Sequence, residues 1–233
     1  MSNNRFEQNY KCKLIGEIGQ SKLSKSKVLI VGAGGTGCPV FTYLLFTGVG
    51  DIYITDYDVV EESNLNRQFL YNYADIGNKK SLALFCKFDL LSIKDKQKSY
   101  SYGMKFKEFI KENKKKFDLI IDCTDNYKTK IEIQDYSKKN KIPCIICGVH
   151  GYQINMFCWH PKYSKNTYNE LFNCKDEISE KSKGTFPTSV GILGTLVASE
   201  AIKILIGLQE KVSYNTLFYY NILENNLFKR ELE

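Results

Sequence analysis

A glycine-rich turn between two apolar segments constrains this chain more than any other feature of its sequence. Residues 28–37 read VLIVGAGGTG. We predict a strand at 28–31, a helix at about 36–47 and a second strand at 51–55, which together form a βαβ unit. The glycines of the turn are Gly32, Gly34, Gly35 and Gly37. Such a turn brings backbone N–H groups and a helix N-terminus close to a phosphate, so it predicts a nucleotide site, for NAD as well as for ATP.

Strands and helices continue to alternate beyond this unit. We predict helices at about 79–91 and from about 129, an amphipathic segment at 104–116, and strands at 118–122 and 142–146. This order is typical of a Rossmann-like, doubly wound, mostly parallel α/β sheet. A polar stretch at about 161–187 predicts a long crossover loop, which an apolar helix at 189–206 and a terminal β-hairpin follow. We expect one domain spanning residues 1–233.

Composition narrows the class of protein. The hydrophobic content is 43% and the net charge is +7. The lysines are dispersed and do not alternate with aromatic residues, so no nucleic-acid partner is expected. No apolar run of about 18 residues is evident, and the N-terminus MSNNRFEQNYKCK lacks a hydrophobic core region. We therefore expect a cytoplasmic protein with no membrane partner.

The cysteines are interpreted as thiols. Eight cysteines in a cytoplasmic chain argue against a disulfide framework. Cys144 and Cys147 form a CxxC pattern, but they fall in a predicted strand, where residues three apart point to opposite faces. We expect core thiols at both positions and no shared metal.

Charged residues after the glycine turn favour ATP over NAD as the bound nucleotide. Asp56 ends the second predicted strand about 20 residues beyond the turn, where a carboxylate can bind a ribose hydroxyl. Arg67 lies in the polar segment NLNRQ, and arginine is rare in this chain. Lys79 or Lys80 precedes the next helix. Cations that converge on phosphates suit the departure of pyrophosphate better than they suit hydride transfer.

A metal site is predicted at the end of the strand DLIID. Asp122 and Asp125 lie there with Asn126 adjacent, and one or two carboxylates with triphosphate oxygens commonly hold Mg²⁺. Asp122 has an alternative role as a cap of the following turn. Asp58 is interpreted either as a turn carboxylate or as a second ribose-side residue.

Four segments in this order resemble one known family. GAGGTG, TDYDVVEESNLNRQ, GNKK and DCTDN are similar to segments of the ThiF/MoeB/HesA proteins, the prokaryotic relatives of ubiquitin-activating E1 enzymes. The resemblance covers about residues 5–207. It implies an adenylyltransferase, in which a carboxylate attacks the α-phosphate of MgATP. The usual carboxylate is the C-terminal glycine of a ubiquitin-like sulfur carrier.

The resemblance also implies roles for individual residues. Asp56 would bind ribose and Asp125 would hold Mg²⁺. The phosphate contacts would come from Asn64, Arg67 and Lys80. Further nucleotide-binding candidates are Asp58 and Gln68. Of all these, we expect Arg67, Lys80 and Asp125 to be catalytic.

Three departures from the family pattern alter the expectations. Thr167–Glu170 replaces the first zinc-binding CxxC pair and the chain ends at FKRELE without a second, so we expect no zinc. The crossover stretch SEKSKGTFP lacks the cysteine of some relatives. Cys174 lies earlier in the loop and is expected to be incidental. The arginine that crosses between subunits in the family is replaced by Gln8, for which Arg5 or Lys11 can substitute in the expected homodimer.

Three hypotheses for function follow. The first is an adenylyltransferase acting on a ubiquitin-like carrier. The second is the same chemistry on a small-molecule or peptide carboxylate, as in the E1-like enzyme of the iron-guanylylpyridinol cofactor pathway. The third is a non-catalytic nucleotide-binding scaffold or an NAD-dependent oxidoreductase. The third leaves Arg67, Lys80 and Asp125 without a common explanation.

Overall fold

One eight-stranded sheet organises the computed structural model, which describes residues 5–92, 96–172 and 184–231. The strand order is β3-β2-β1-β4-β5-β6-β7-β8. The strands are β1 (Lys27–Val31), β2 (Asp51–Thr55), β3 (Lys98–Tyr102), β4 (Leu119–Asp122), β5 (Cys144–His150), β6 (Gln153–Trp159), β7 (Thr216–Asn221) and β8 (Asn226–Glu231). The helices are α1 (Glu7–Lys11), α2 (Gly16–Lys25), α3 (Gly37–Thr47), α4 (Lys80–Leu91), α5 (Phe106–Glu112), α6 (Tyr127–Asn140), α7 (Tyr168–Phe172) and α8 (Pro187–Ile206).

The sheet has a parallel half and an antiparallel half. All neighbours from β3 through β5 are parallel. The neighbours from β5 through β8 are antiparallel. The carboxyl ends of β1, β2, β4 and β5 therefore meet at one edge of the sheet, where α/β proteins of this kind bind ligands.

Helices cover both faces of the parallel half, which confirms the doubly wound α/β prediction. On one face, Val28 and Ile30 of β1 pack in a core with Leu44 of α3 and Leu193 of α8. On the other face, Leu29 packs in a second core with residues of α5 and α6 such as Phe109 and Ile133. Successive residues of β1 enter opposite cores because side chains alternate along a strand.

Two strands were missed by the sequence analysis. The segment of β3, KSYSY, lacks the aliphatic run of a buried strand, and within the described part of the chain it pairs with β2 alone. Strand β6 was not separated from the polar segment that follows it. Both segments are strands because they pair with strands that are distant in the sequence. The predicted terminal hairpin is confirmed as β7 and β8. Within the predicted crossover loop the structure shows α7, while residues 173–183, with Cys174, lie outside the described residues.

Helix α8 corrects one sequence-based expectation. It has 20 residues and, by length and composition, is apolar enough to cross a membrane; no other helix among the described residues passes that test. It nevertheless packs against α3, β5 and β6. A Cβ atom at Gly194 would lie 2.8 Å from the Thr36 carbonyl oxygen, so α8 and the start of α3 are in close contact. This is the packing of a core helix.

Cys144 and Cys147 lie on opposite faces of β5, as predicted. Cys144 belongs to the core of the α5 and α6 face, and Cys147 to the core of the α3 and α8 face. Burial raises the pKa of the Cys144 thiol to about 12. All cysteines among the described residues are free.

Candidate active site

A cavity of about 840 Å³ opens at the carboxyl ends of β1, β2, β4 and β5. Its walls come from the glycine turn, the segment after β2, the start of α4, the start of α5, the turn between β4 and α6, and the end of β5. The predicted site residues that line it are Gly32, Gly34, Gly35, Asp56, Asp58, Asn64, Arg67, Gln68, Lys80 and Asp125. Segments far apart in the sequence are therefore brought to one place, as the fold prediction required.

Glycine is required at the positions of this turn for different physical reasons. Gly32 has φ +97°, and a Cβ atom there would lie 2.7 Å from the Cys123 carbonyl oxygen. A Cβ atom at Gly37 would collide with the Gly32 carbonyl oxygen, and Gly37 does not line the cavity. At Gly34 the nearest atom would be Gln68 Nε2 at 3.8 Å. Gly32 and Gly37 thus serve packing, whereas Gly34 leaves the backbone open toward the cavity.

Asp56 connects the end of β2 to the glycine turn. Its Oδ2 accepts the Ala33 N–H at 2.7 Å, and its Oδ1 accepts the Asp58 N–H at 2.8 Å. Burial raises the pKa of the Asp56 carboxyl, and these two hydrogen bonds and the nearby Lys80 counteract part of that rise. Each carboxylate oxygen has a further lone pair, so the predicted contact to a ribose hydroxyl is compatible with both bonds.

Lys80 and Asp58 form an ion pair at the start of α4. Lys80 Nζ lies 3.2 Å from Asp58 Oδ2, and Lys80 is 8% exposed. The sequence analysis had not considered this pairing for Asp58. Lys79 Nζ instead donates to the Tyr57 carbonyl oxygen at 2.7 Å. Of the two lysines, only Lys80 lines the cavity.

The NLNRQ segment presents both half-buried and buried polar groups to the cavity. Asn64 is buried, and its Oδ1 accepts the Glu61 N–H at 3.2 Å. Arg67 is half-buried, and its guanidinium donates to the Ser63 carbonyl oxygen at 2.9 Å. Gln68 is 4% exposed, and its Oε1 has no hydrogen-bond partner. Such an orphan oxygen in a cavity wall suits a ligand donor.

A buried ion pair at the end of β4 was missed by the sequence analysis. Asp122 Oδ1 accepts the Thr124 N–H at 3.0 Å and the Thr124 hydroxyl at 2.6 Å, so Asp122 does cap the turn. Its Oδ2 lies 2.7 Å from Lys130 Nζ. Lys130 Nζ also donates to the carbonyl oxygens of Thr124 at 2.7 Å and Cys147 at 2.5 Å. One side chain therefore joins β4, the following turn and β5.

The position of Lys130 could have been recognised from helix periodicity. Asn126 is the N-cap of α6, and its Oδ1 accepts the Thr129 N–H at 2.9 Å. Lys130 comes one turn later, on the face that Ile133 and Gln134 bury. Burial alone would lower the pKa of Lys130, but the adjacent Asp122 carboxylate and the neighbouring groups outweigh it, and the net direction is upward.

Asp125 lies on the turn that this ion pair supports. It is exposed and lines the cavity between the end of β4 and the start of α6. No cluster of three or more metal-binding side chains occurs in residues 5–92, 96–172 and 184–231. A single carboxylate fits an Mg²⁺ ion whose remaining ligands are phosphate oxygens and water.

Other charged side chains of the cavity were also missed. Four lysines on α5, just before it and on α6 also line the cavity: Lys105, Lys107, Lys111 and Lys128. The sequence analysis predicted only an amphipathic segment at 104–116 and treated the lysines as dispersed. Their place in the cavity follows from the packing of α5 and α6 on β4, which local periodicity does not reveal.

The two proposed substitutes for the subunit-crossing arginine have partners within the chain. Arg5 donates to the Leu91 carbonyl oxygen at 2.6 Å and lies 5.0 Å from the centre of the Phe46 ring. Lys11 forms an ion pair with Glu7 at 2.5 Å. Their role in a neighbouring subunit stays a prediction.

Comparisons with known proteins identify the family. The ThiF family profile matches residues 6–233. The sulfur carrier protein ThiS adenylyltransferase of Escherichia coli (strain K12) is 34% identical over 202 residues, which cover 86% of this chain and 80% of the relative. The sulfur carrier protein adenylyltransferase of Thermus thermophilus is 27% identical over 213 residues, which cover 88% of this chain and 78% of the relative.

Solved structures support the fold. The Escherichia coli enzyme MccB solved with ATP superimposes with a TM-score of 0.83 at 21% identity, covering 100% of this chain and 72% of MccB. MccB solved with N-formylated MccA gives a TM-score of 0.84 at 22% identity, covering 99% of this chain and 73% of MccB. At such identities the likeness establishes the fold of the chain and not its substrate.

Proposed function

The chain belongs to the ThiF family, and from this premise we propose that it is an ATP-dependent adenylyltransferase that converts a carboxylate to an acyl-adenylate. The observation that carries the proposal is the convergence of the glycine turn, Arg67, Lys80 and Asp125 on one cavity. The named relatives are adenylyltransferases. A dehydrogenase or a scaffold would have no use for these charged groups together.

The reaction needs positioning and charge stabilisation more than proton transfer. An oxygen of the ionised substrate carboxylate attacks the α-phosphorus, and the bond from that phosphorus to the bridging oxygen of pyrophosphate breaks. The backbone at Gly34 and the N-terminus of α3 face the phosphates, and Asp56 orients the ribose. Arg67 and Lys80 stabilise the charge that develops on the departing pyrophosphate.

Mg²⁺ is proposed to accompany ATP, with Asp125 as its protein ligand. The ion would supply further charge neutralisation at the phosphates when bound. The support is the placement of Asp125 on a turn held rigidly by the ion pair between Asp122 and Lys130. Asp122 itself is fully buried and engaged, so it does not serve as a ligand.

The proposed acyl substrate is the C-terminal glycine of a ubiquitin-like sulfur carrier. Support comes from the relatives, which are named for sulfur carrier proteins. A peptide carboxylate is the alternative; MccB, which shares the fold, has been solved in complex with N-formylated MccA. A small carboxylic acid remains the further alternative within the same chemistry.

A homodimer is the proposed assembly. Large apolar side chains that are at least two-fifths exposed occur on α3, on α4 and on the segment between β2 and α4: Tyr43, Phe46, Tyr57, Phe69, Tyr73, Ile76, Leu82 and Leu90. Exposed apolar groups concentrated in neighbouring elements are typical of an interface. Analytical ultracentrifugation tests this point.

The measurement that tests the function is ATP–pyrophosphate exchange by the purified chain with Mg²⁺. We expect exchange in the presence of a small carrier protein that ends in Gly-Gly and none without it. Exchange with a short peptide or a small carboxylic acid instead would identify a different substrate for the same adenylation reaction. ATP binding without exchange for any carboxylate would contradict the proposed function and favour a scaffold.

A pair of glycine variants tests the nucleotide site. Gly34→Ala is expected to fold normally, because its Cβ atom would meet only Gln68, and to bind ATP at least about tenfold more weakly, because the methyl group would separate the phosphates from the backbone. Gly37→Ala is expected to destabilise the fold through its collision with the Gly32 carbonyl oxygen. Thermal unfolding and equilibrium ATP binding distinguish the two. Equal ATP affinity for Gly34→Ala and wild type would exclude phosphate binding at this turn.

A further inference from the structure

Two side chains from other segments hold consecutive peptide groups of the glycine turn. Asp56 Oδ2 accepts the Ala33 N–H at 2.7 Å, which fixes the peptide group between Gly32 and Ala33. The Tyr71 hydroxyl donates to the Ala33 carbonyl oxygen at 2.6 Å, which fixes the peptide group between Ala33 and Gly34. Asp56 lines the cavity, whereas Tyr71 contacts the turn from the core behind it.

Tyr71 is the strong donor to this carbonyl oxygen. It lies in the segment between β2 and α4 and is 5% exposed. Burial raises the pKa of its hydroxyl, so the group keeps its proton and remains a donor. The Lys80 carbonyl oxygen is farther from the hydroxyl, at 3.2 Å. Cys38 Sγ lies 3.9 Å from the Ala33 carbonyl oxygen, and a thiol is a weak donor.

The orientation of the held peptide group decides where the Gly34 N–H points. A trans peptide group is planar, and its N–H points away from its C=O. The described residues contain no cis peptide bond. Because the Ala33 C=O is directed toward Tyr71 in the core, the Gly34 N–H is directed away from the core. Gly34 lines the cavity, and no acceptor in residues 5–92, 96–172 and 184–231 takes its N–H. This N–H is therefore available to a ligand oxygen.

The neighbouring glycines make this orientation depend on an outside hydrogen bond. Residues 32, 34 and 35 are glycines, whose φ and ψ rotate with little restriction. A peptide group between such residues can turn over unless one of its polar atoms is held. A buried carbonyl oxygen without a donor costs free energy, which favours rotation toward another partner. Without the Tyr71 hydroxyl, that rotation would take the Gly34 N–H out of the cavity.

We propose that Tyr71 is a positioning residue for the phosphates of the bound nucleotide: its hydroxyl holds the Ala33 carbonyl oxygen and thereby keeps the Gly34 N–H directed into the cavity. This role rests on the proposed function for the identity of the ligand as a nucleoside triphosphate. Tyr71 does not line the cavity, so it acts through the backbone and is not a catalytic residue.

The test compares a ligand that has phosphates with one that has none. Tyr71→Phe removes the hydroxyl and keeps the buried ring. The probes are adenosine and the ATP analogue with a methylene group between the α- and β-phosphorus atoms, and their binding is measured at equilibrium. We expect the variant to bind the analogue about tenfold more weakly, the value of one hydrogen bond to a charged group, and adenosine as wild type does. A general loosening of the fold would weaken both ligands equally.

Tyr73→Phe is the matched control. Tyr73 lies two residues farther along the same segment and is 73% exposed. Its variant should bind both ligands as tightly as wild type does. Tyr71→Phe should melt at a lower temperature than the other two proteins, because the Ala33 carbonyl oxygen loses its donor. Binding is therefore measured well below the melting temperature of Tyr71→Phe.

A double-mutant cycle with Gly34→Ala tests the route of the effect. Gly34→Ala obstructs the same N–H, so adding Tyr71→Phe to it should weaken binding of the analogue by less than about twofold further. Independent effects would instead multiply to a loss of about 100-fold. Such multiplication would overturn the proposal. Equal losses for the analogue and adenosine in Tyr71→Phe, or no loss for the analogue, would overturn it as well.

Binding measurements involve no chemistry, so they separate this role from the proposed function. Analogue binding that depends on Tyr71, without ATP–pyrophosphate exchange for any carboxylate, would support the positioning role and contradict the enzymatic proposal. Exchange by wild type, with unchanged analogue binding by Tyr71→Phe, would support the enzyme and overturn the positioning role. Wild type that binds the analogue no more tightly than adenosine would overturn the phosphate contact at Gly34, and the positioning role with it.

Discussion

Lys130→Met is expected to lower the free energy of unfolding by about 3–5 kcal/mol, the usual consequence of removing one partner from a buried ion pair. The variant leaves Asp122 fully buried without its cation and removes the donor from the Thr124 and Cys147 carbonyl oxygens. For a chain of this size the melting temperature should fall by on the order of 10 °C. Thermal and denaturant unfolding measure the effect.

Two further variants isolate the cause. Lys128→Met changes an exposed lysine in the first turn of the same helix and should alter stability by less than about 0.5 kcal/mol. Asp122→Asn combined with Lys130→Met removes both charges, and its loss should be smaller than that of Lys130→Met alone. If Lys130→Met were as stable as wild type, the ion pair between Asp122 and Lys130 would make no net contribution to stability.

The ion pair also has a defined pH dependence. The pKa of Lys130 is raised above its usual value of 10.5 in the folded state. A raised lysine pKa contributes stability that is fully present below the unfolded value and is lost as the pH rises through the folded value. The stability difference between wild type and Lys130→Met should therefore be constant at neutral pH and shrink only in strongly alkaline solution.

Asp125→Asn is expected to abolish adenylation while leaving the fold intact. The side chain is exposed at the cavity, so its replacement should change the free energy of unfolding by no more than about 0.5 kcal/mol. Loss of its charge beside the triphosphate and its metal should slow ATP–pyrophosphate exchange by about 100-fold or more. Exchange is measured over a titration of Mg²⁺.

The control for this prediction is Asp135→Asn, an exposed carboxylate of α6 that does not line the cavity. It should exchange at the wild-type rate. If Asp125→Asn also retained the wild-type rate at every Mg²⁺ concentration, Asp125 would have no role in holding the metal or in the reaction.

Local patterns were sufficient for the elements that build the nucleotide side of the cavity. The strand and helix around GAGGTG have strong apolar periodicity. The NLNRQ segment lies between β2 and α4, and the DCTDN segment begins at the last residue of β4. Because the ends of parallel strands share an edge, their juxtaposition could be predicted without coordinates. Strand β3 could not be predicted in this way, because KSYSY forms a strand only through its pairing with β2.

The sequence by itself determined the glycine turn and the doubly wound class, since both depend on patterns of residues close along the chain. Only the tertiary structure decided that Lys130 joins Asp122 to β5, and that Lys80 pairs with Asp58. Those contacts join segments that are remote in sequence. Their energies come from burial and from hydrogen bonds that exist only after the chain has folded.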